Sequence, residues 1–181
     1  MIRSLYIILL TILFSVPMAE AALKNKYTEG RRSNEYILHI FERNLNASKS
    51  NKTIKNVKYD YTYVQTSDSV SILTTITVPN SCGTPSDIAL SFCGKQLSMK
   101  PELIYVSPIK NGLEYRLRIA IPYEDWEEMI NCAKPYDVIY KFSDNTSYHS
   151  FEFSYPQSKW NKVREELLQI RDIIRINTGK Q

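Results

Sequence analysis

The chain is poor in the residue types from which most active sites are built. It has two histidines, three cysteines and five glycines in 181 residues. Neither His39 nor His149 has a second histidine or a cysteine at ligand spacing, so the sequence predicts no metal site. It contains no glycine-rich phosphate loop and no Gly-x-Ser-x-Gly turn that would present a nucleophilic serine. We therefore predict a protein that is not an enzyme and needs no cofactor, although a hydrolase with an unrecognised site stays open.

Charge of one sign is also scarce. The chain has 23 Lys and Arg against 19 Asp and Glu, a net charge of +4 at pH 7. These charges are spread along the chain, whereas a nucleic-acid-binding surface concentrates basic residues on one face. The sequence accordingly predicts no nucleic-acid partner.

Long apolar runs are absent except at the N-terminus. Arg3 is followed by the apolar stretch Leu5–Met18, and Ala19 and Ala21 then give the small-x-small pattern of a signal-peptidase site. The stretch is shorter than the roughly 20 residues of a membrane-spanning helix. We interpret residues 1–21 as a cleaved signal peptide, which predicts a periplasmic or secreted protein with no membrane span after cleavage.

The rest of the chain divides into two parts. Residues 22–56 are predicted to form an N-terminal leader, a helix over 31–45 and a polar linker. Residues 57–181 are predicted to form a β-sandwich domain with a C-terminal helix. The helix is predicted because apolar residues recur there at spacings of three and four. These residues are Ile37, Ile40, Phe41 and Leu45.

From Val57 onward the apolar pattern has a period of two, which is typical of strands with one buried face. Four turn signals divide this region into hairpins, at Ser67-Asp68, Gly94-Lys95, Asn111-Gly112 and Asp144-Asn145. Eight antiparallel strands follow, and they predict a mainly β fold, either a sandwich or a barrel. The predicted cross-strand pairs include Tyr61–Thr74, Leu90–Met99, Val106–Leu117 and Val138–Phe151.

Two further segments have the periodicity of amphipathic helices. A short helix is predicted over 122–133, inserted between strands, with Pro122 at its start. A longer one is predicted over 158–176, where Trp160 and Leu167 belong to an unbroken apolar stripe. We expect this stripe to pack on the sheet.

The three cysteines allow three different pairings, and export makes a disulfide plausible. We favour Cys82–Cys93, because these residues bound one short connection and strand. Cys132 is then interpreted as a small buried apolar residue.

The predicted function follows from export, a stable β domain and the lack of catalytic residues. We expect a binding module that engages a protein partner in the cell envelope or outside the cell, for example as an immunity or inhibitor protein. The candidate binding residues are Tyr105, Arg116 and Arg118, which the predicted register places on the outer face of the third hairpin. Tyr and Arg are enriched at binding hot spots.

An alternative function rests on the aromatic content. Thirteen tyrosines are more than a small core requires, and Tyr59, Tyr61 and Tyr63 share one predicted face. A closed eight-stranded barrel with such a lining would hold a small molecule or a lipid.

Overall fold

The computed structural model describes residues 25–47, 54, 56–144 and 146–180. The predicted signal peptide, residues 1–21, lies outside the described residues, as does most of the predicted linker. The described residues form ten strands and two α-helices. The strands are β1 (Tyr27–Arg32), β2 (Glu35–Ala47), β3 (Asn56–Val64), β4 (Ser69–Val78), β5 (Thr84–Phe92), β6 (Lys95–Met99), β7 (Glu102–Ile109), β8 (Gly112–Pro122), β9 (Asp137–Ser143) and β10 (Tyr148–Ser154); the helices are α1 (Tyr123–Asn131) and α2 (Gln157–Thr178).

All ten strands belong to one antiparallel sheet, which confirms the predicted mainly β fold. The strand order is β6-β5-β9-β10-β2-β3-β4-β8-β7, and β1 pairs with β2 beside this path. The described part of the chain thus has ten strands rather than the predicted eight. The two additional strands are β1 and β2. The path has β6 at one end and β7 at the other.

The helix predicted over residues 31–45 is wrong, because most of this segment is the strand β2. A tight turn joins β1 to β2 at Ser33 and Asn34, whose φ angles are 50° and 69°. Two successive positive φ angles are typical of the turns that close two-residue hairpins. Antiparallel pairing continues from this turn, with Arg32 directly opposite Glu35.

The apolar spacing in β2 is compatible with both a helix and a strand. Tyr36, Leu38 and Ile40 alternate along one face and are each at most 3% exposed. Ile37 and Phe41, which suggested a helical stripe, lie on the opposite face of the strand. Pairing with β1 and β3 supplies β2 with backbone hydrogen-bond partners on both sides, and this tertiary context decides the conformation.

All four predicted hairpins are present, and each differs from the predicted register by two residues, except that a bulge between Leu103 and Tyr105 makes the shift three residues in the far part of the third hairpin. In the second hairpin the turn is formed by Cys93 and Gly94, with φ angles of 47° and 82°, rather than by Gly94 and Lys95. A shift of two residues leaves a side chain on its predicted face, whereas a shift of one would have inverted the sheet. The observed pairs are Tyr61–Ile72, Leu90–Leu97, Val106–Tyr115 and Phe151–Tyr140.

Both predicted helices in the second part of the chain are confirmed within a few residues. They cover the face of the sheet that carries Tyr59, Tyr61 and Tyr63, which we call the inner face. The Trp126 ring of α1 lies 6.3 Å from that of Tyr61. In α2 four residues of the predicted stripe, Trp160, Leu167, Ile170 and Ile174, have no exposed surface, and the fifth, Val163, is partly buried.

Strands that are distant in the sheet order meet across this interior. The hydroxyl oxygens of Tyr61 on β3 and Tyr136 next to β9 are 2.7 Å apart, and the Tyr59 hydroxyl contacts that of Tyr155. Burial raises the pKa of Tyr155 to about 12, because the phenolate loses its hydration. The interior therefore contains two hydrogen-bonded pairs of buried tyrosines, Tyr61–Tyr136 and Tyr59–Tyr155.

The disulfide joins Cys93 to Cys132, with a Cα–Cα distance of 5.9 Å, and Cys82 is free and buried. The predicted Cys82–Cys93 pair is therefore wrong. The reason is tertiary: the C-terminal end of α1 lies beside the β5–β6 turn, where Lys95 also forms ion pairs with Asp125 and Glu128 of the helix. Proximity in sequence is a poor guide when a helix from elsewhere packs on the turn.

Candidate interaction surface

The largest group of exposed apolar side chains lies on β7, at one end of the sheet. Eight large hydrophobic residues of the described chain are exposed, and β7 provides five of them. We call these five the β7 edge. They are Leu103 (50% exposed), Ile104 (44%), Tyr105 (43%), Val106 (46%) and Ile109 (43%).

The β7 edge is exposed because the core ends one strand earlier. Val106 pairs with Tyr115 and Leu103 pairs with Leu117, so each pair shares the inner face. The β8 member of each pair is buried, at 3% and 0% exposure, while the β7 member is about half exposed. A register shift between Leu103 and Tyr105 leaves Ile104 without a partner residue on β8. Exposed apolar side chains therefore lie on both the inner and the outer face of β7.

Close backbone contact fixes the turn that positions β7. A side chain at Gly112 would collide with the Val78 carbonyl group, so this position requires glycine. Leu113, the next residue, pairs with Val78 on the neighbouring strand. The hairpin of β7 and β8 is thus held against β4 at its turn, and its far edge remains open.

The three predicted binding residues lie together on the outer face of this hairpin. Tyr105 is directly opposite Arg116, where the predicted register had placed Arg118. The Tyr105 hydroxyl donates to a Glu114 carboxylate oxygen at 3.1 Å, and Arg118 donates through Nε to Glu102 at 2.8 Å. Tyr105 and Arg118 are accessible, and each already has a partner within the hairpin.

Arg116 forms structural contacts with the neighbouring strands. Its guanidinium donates to a carboxylate oxygen of Asp60 and to Oγ1 of Thr75, the latter at 2.9 Å. Asp60 is only 5% exposed although it lies on the outer face. A buried carboxylate requires a hydrogen-bonded counter-charge. Arg116 therefore ties β8 to β3 and is less available to a partner than Arg118.

Sequence reasoning missed Leu103, Ile104 and Val106 as surface residues, whereas it placed Ile109 on the outer face of the hairpin. Alternation placed Ile104 and Val106 on the buried face, and Val106 does lie on the inner face. Period-two patterning identifies the face of a strand, but it does not indicate whether that strand is central or terminal in the sheet. The useful signal was composition, since apolar residues occupy both faces of β7.

The residues that usually perform catalysis are dispersed or already engaged. Nδ1 of His39 lies 2.9 Å from the hydroxyl of Thr62, and the His149 ring stacks on Phe151. Among the described residues, no group of three His, Cys, Asp or Glu side chains could hold a metal ion. Burial raises the pKa of the Cys82 thiol, which makes it a weak nucleophile at neutral pH.

Space inside the tyrosine core is small. The void between Tyr59, Tyr61, Tyr136 and Tyr140 has a volume of about 10 Å³, which is roughly the space for one water molecule. Small-molecule sites usually enclose about 300–1,000 Å³.

A larger recess of about 400 Å³ opens at the surface beside the disulfide. Cys93 and Pro135 are among the residues in its wall, and Asp137 and Lys134 are its charged groups. One carboxylate and one ammonium group at a protein surface form no recognisable catalytic pair.

No helix in the described part of the chain is long and apolar enough to cross a membrane. The chain matches no protein-family model, no curated protein and no solved structure. Its function must therefore be argued from its own surface.

Proposed function

We propose that this protein is an exported, non-enzymatic binding domain that engages a protein partner through the β7 edge. The observation that carries the proposal is the concentration of exposed apolar side chains on this one terminal strand. Contiguous exposed apolar patches on soluble domains are typical of interaction sites. Tyr105 within the patch and Arg118 beside it supply polar contacts of the kind found at binding interfaces.

The proposed location outside the cytoplasm rests on two observations. Residues 1–21 have the pattern of a cleavable signal peptide, and the Cys93–Cys132 disulfide is compatible with an oxidising compartment. An immunity or inhibitor protein, which binds one enzyme or toxin tightly, is a concrete form of this function.

Contacts across the interior support a sandwich-like arrangement rather than an open cavity. The rings of Tyr115 on β8 and Phe142 on β9 are 5.5 Å apart although these strands are far apart in the sheet order. The small void among the tyrosines does not favour the alternative function, a carrier of small molecules or lipids.

Site-specific cross-linking tests the proposed surface. A photoreactive amino acid at Ile104 should cross-link a discrete protein in the cells that export this chain. The same amino acid at Gln96, an exposed position on β6 at the other end of the sheet, is the matched control. Equal cross-linking from both positions, or none from Ile104, would remove the β7 edge from consideration.

A further inference from the structure

Resting on the proposed function, we infer how the partner binds: an extended segment of a different protein pairs with β7 as an additional strand, and acidic residues flank its apolar centre. In this mode, backbone hydrogen bonds of the terminal strand provide affinity, and alternate side chains provide specificity. The inference follows from the open edge, the contrast with β6 and the distribution of charge.

Among the described residues, no strand pairs with the side of β7 that faces away from β8. This strand is the last in the sheet order, and its hydrogen-bonded neighbour is β8. Its first six residues, Glu102–Ser107, precede Pro108, which has no backbone N–H to donate. The open stretch of about six residues spans roughly 20 Å, at about 3.3 Å per residue. A short strand from a partner therefore fits beside it.

β6, the strand at the other end of the order, has the ordinary surface of an edge that faces water. Its apolar residues Leu97 and Met99 are half-buried, and Gln96 and Ser98 between them are exposed. Proteins commonly protect edge strands with polar and charged residues, because an open apolar edge invites pairing with another chain. β7 lacks this alternation, so its exposed composition is best explained by a contact that covers it.

The charges around β7 indicate the chemistry of the occupant. Arg118 forms an ion pair with Glu102, whereas Glu114 accepts a hydrogen bond from the neutral Tyr105 hydroxyl and has no counter-charge among the described residues. Lys100 and Lys110 stand exposed at the two ends of β7, and neither forms an ion pair with a described residue. The two ends of the strand therefore present two unpaired positive charges against the single unpaired carboxylate of Glu114, and positive ends complement a segment with acidic ends.

A second copy of this chain is a poorer occupant by the same reasoning. Two copies would bring Lys100 and Lys110 of both chains to one interface, and their Glu102 carboxylates are already paired. In an antiparallel pair centred on Tyr105, Lys100 of one copy would face Lys110 of the other. Like charges directly opposite one another destabilise a strand pair.

Two synthetic nonapeptides provide the test. Both have the apolar-polar centre Val-Tyr-Val-Thr-Val, and they carry either two Asp or two Lys at each end. The full-length exported protein should bind the Asp-ended peptide at least about tenfold more tightly than the Lys-ended one, measured by fluorescence anisotropy. Amide hydrogen exchange should slow in β7 and remain unchanged in β6.

Charge reversal sharpens this test. The variant Lys100→Glu/Lys110→Glu should exchange the two preferences, and Lys134→Glu/Lys159→Glu, with the same change in net charge away from β7, should preserve them. Near-ultraviolet circular dichroism verifies that both variants fold. Equal affinity for the two peptides, or an unchanged preference after reversal at β7, would overturn the inference.

The outcomes of these experiments also distinguish a failure of the inferred binding mode from a failure of the proposed function. If the Ile104 cross-linker captures a partner but binding is indifferent to the charges at Lys100 and Lys110, the surface is right and the binding mode is wrong. If sedimentation shows a dimer at micromolar concentration and Val106→Lys makes it monomeric, the occupant is a second copy. That result would overturn both the acidic segment and the different protein that carries it.

Discussion

The covered inner face and the β7 edge carry similar side chains in opposite environments. Leu167 is fully buried, whereas Leu103 is 50% exposed; Tyr61 is 1% exposed, whereas Tyr105 is 43% exposed. The difference arises because the covered part of the inner face ends at β8, where Tyr115 and Leu117 are buried while their β7 partners are half exposed. It teaches that the apolar residues of β7 contribute little to folding, so their free energy of desolvation remains available to a partner.

Of all the predicted changes, alkaline pH should lower the free energy of unfolding the most, because it acts on the buried tyrosines of the covered inner face. Burial raises the pKa of Tyr63, Tyr123 and Tyr155 to about 12, against an ordinary value of about 10. Above pH 10 these side chains ionise in the unfolded chain but stay protonated in the folded one. Each therefore lowers the free energy of unfolding by about 1.4 kcal/mol per pH unit up to its folded pKa.

Absorbance at 295 nm and far-ultraviolet circular dichroism, recorded together between pH 9 and 13, check this expectation. Ionisation of the buried tyrosines should coincide with loss of secondary structure between about pH 10 and 12. Titration of every tyrosine in a chain that stays folded would contradict the buried core.

Truncation of one leucine in each region compares them directly. Leu167→Ala should lower the free energy of unfolding by about 2–5 kcal/mol, because it leaves a cavity between α2 and the sheet. Leu103→Ala should change it by less than about 0.5 kcal/mol, as is usual for exposed positions. Urea unfolding at pH 7 measures both. A large loss for Leu103→Ala would mean that β7 is covered within the folded protein and that the comparison fails.

The disulfide ties the helical cover to the sheet, so its removal should loosen one region only. Cys93 and Cys132 are 39 residues apart, and the double variant Cys93→Ser/Cys132→Ser should lose about 2–4 kcal/mol. Cys82→Ala is the control for loss of a buried sulfur without loss of a cross-link. Equal destabilisation in the two proteins would show that the cross-link contributes nothing beyond packing.

Hydrogen exchange shows where the loss acts. Exchange should accelerate in α1 and around the β5–β6 turn of the double serine variant, and it should remain unchanged in β7, which the cross-link does not touch.

The sequence predicted faces better than registers. Tyr59, Tyr61 and Tyr63 lie on the inner face as predicted, because burial of one face requires strict alternation. Their partners on β4 differ by two residues, because the register depends on which residues form the turn. In the second hairpin, Cys93 accepts a positive φ angle that sequence reasoning assigned to glycine alone.

Properties that depend on distant parts of the chain were not predictable from local patterns. The segment from Ile37 to Phe41 fits either a helix or a strand, and pairing with β3 decides between them. The same limit applies to the partner of Cys93, which a helix brings from elsewhere. It applies most to the candidate surface, since the position of β7 at the end of the sheet is a property of strand order.

The smallest expected effect distinguishes two of the predicted binding residues. Arg116→Ala should lower the free energy of unfolding by about 1–3 kcal/mol, because it leaves the Asp60 carboxylate buried without its counter-charge. Arg118→Ala should cost less than about 0.5 kcal/mol, since both Arg118 and Glu102 are exposed and remain hydrated after the change.

Measuring both stability and partner binding tests whether Arg116 and Arg118 have different roles. Asp60→Asn should recover part of the stability lost in Arg116→Ala, because the neutral amide needs no counter-charge. Arg118→Ala, by contrast, should weaken partner cross-linking from Ile104 while the protein remains as stable as before. Two results would contradict this comparison: a larger loss of stability in Arg118→Ala than in Arg116→Ala, or no recovery with Asp60→Asn. Either would show that the Arg116–Asp60 pair is not the structural one and that Arg118–Glu102 is not merely an accessible pair.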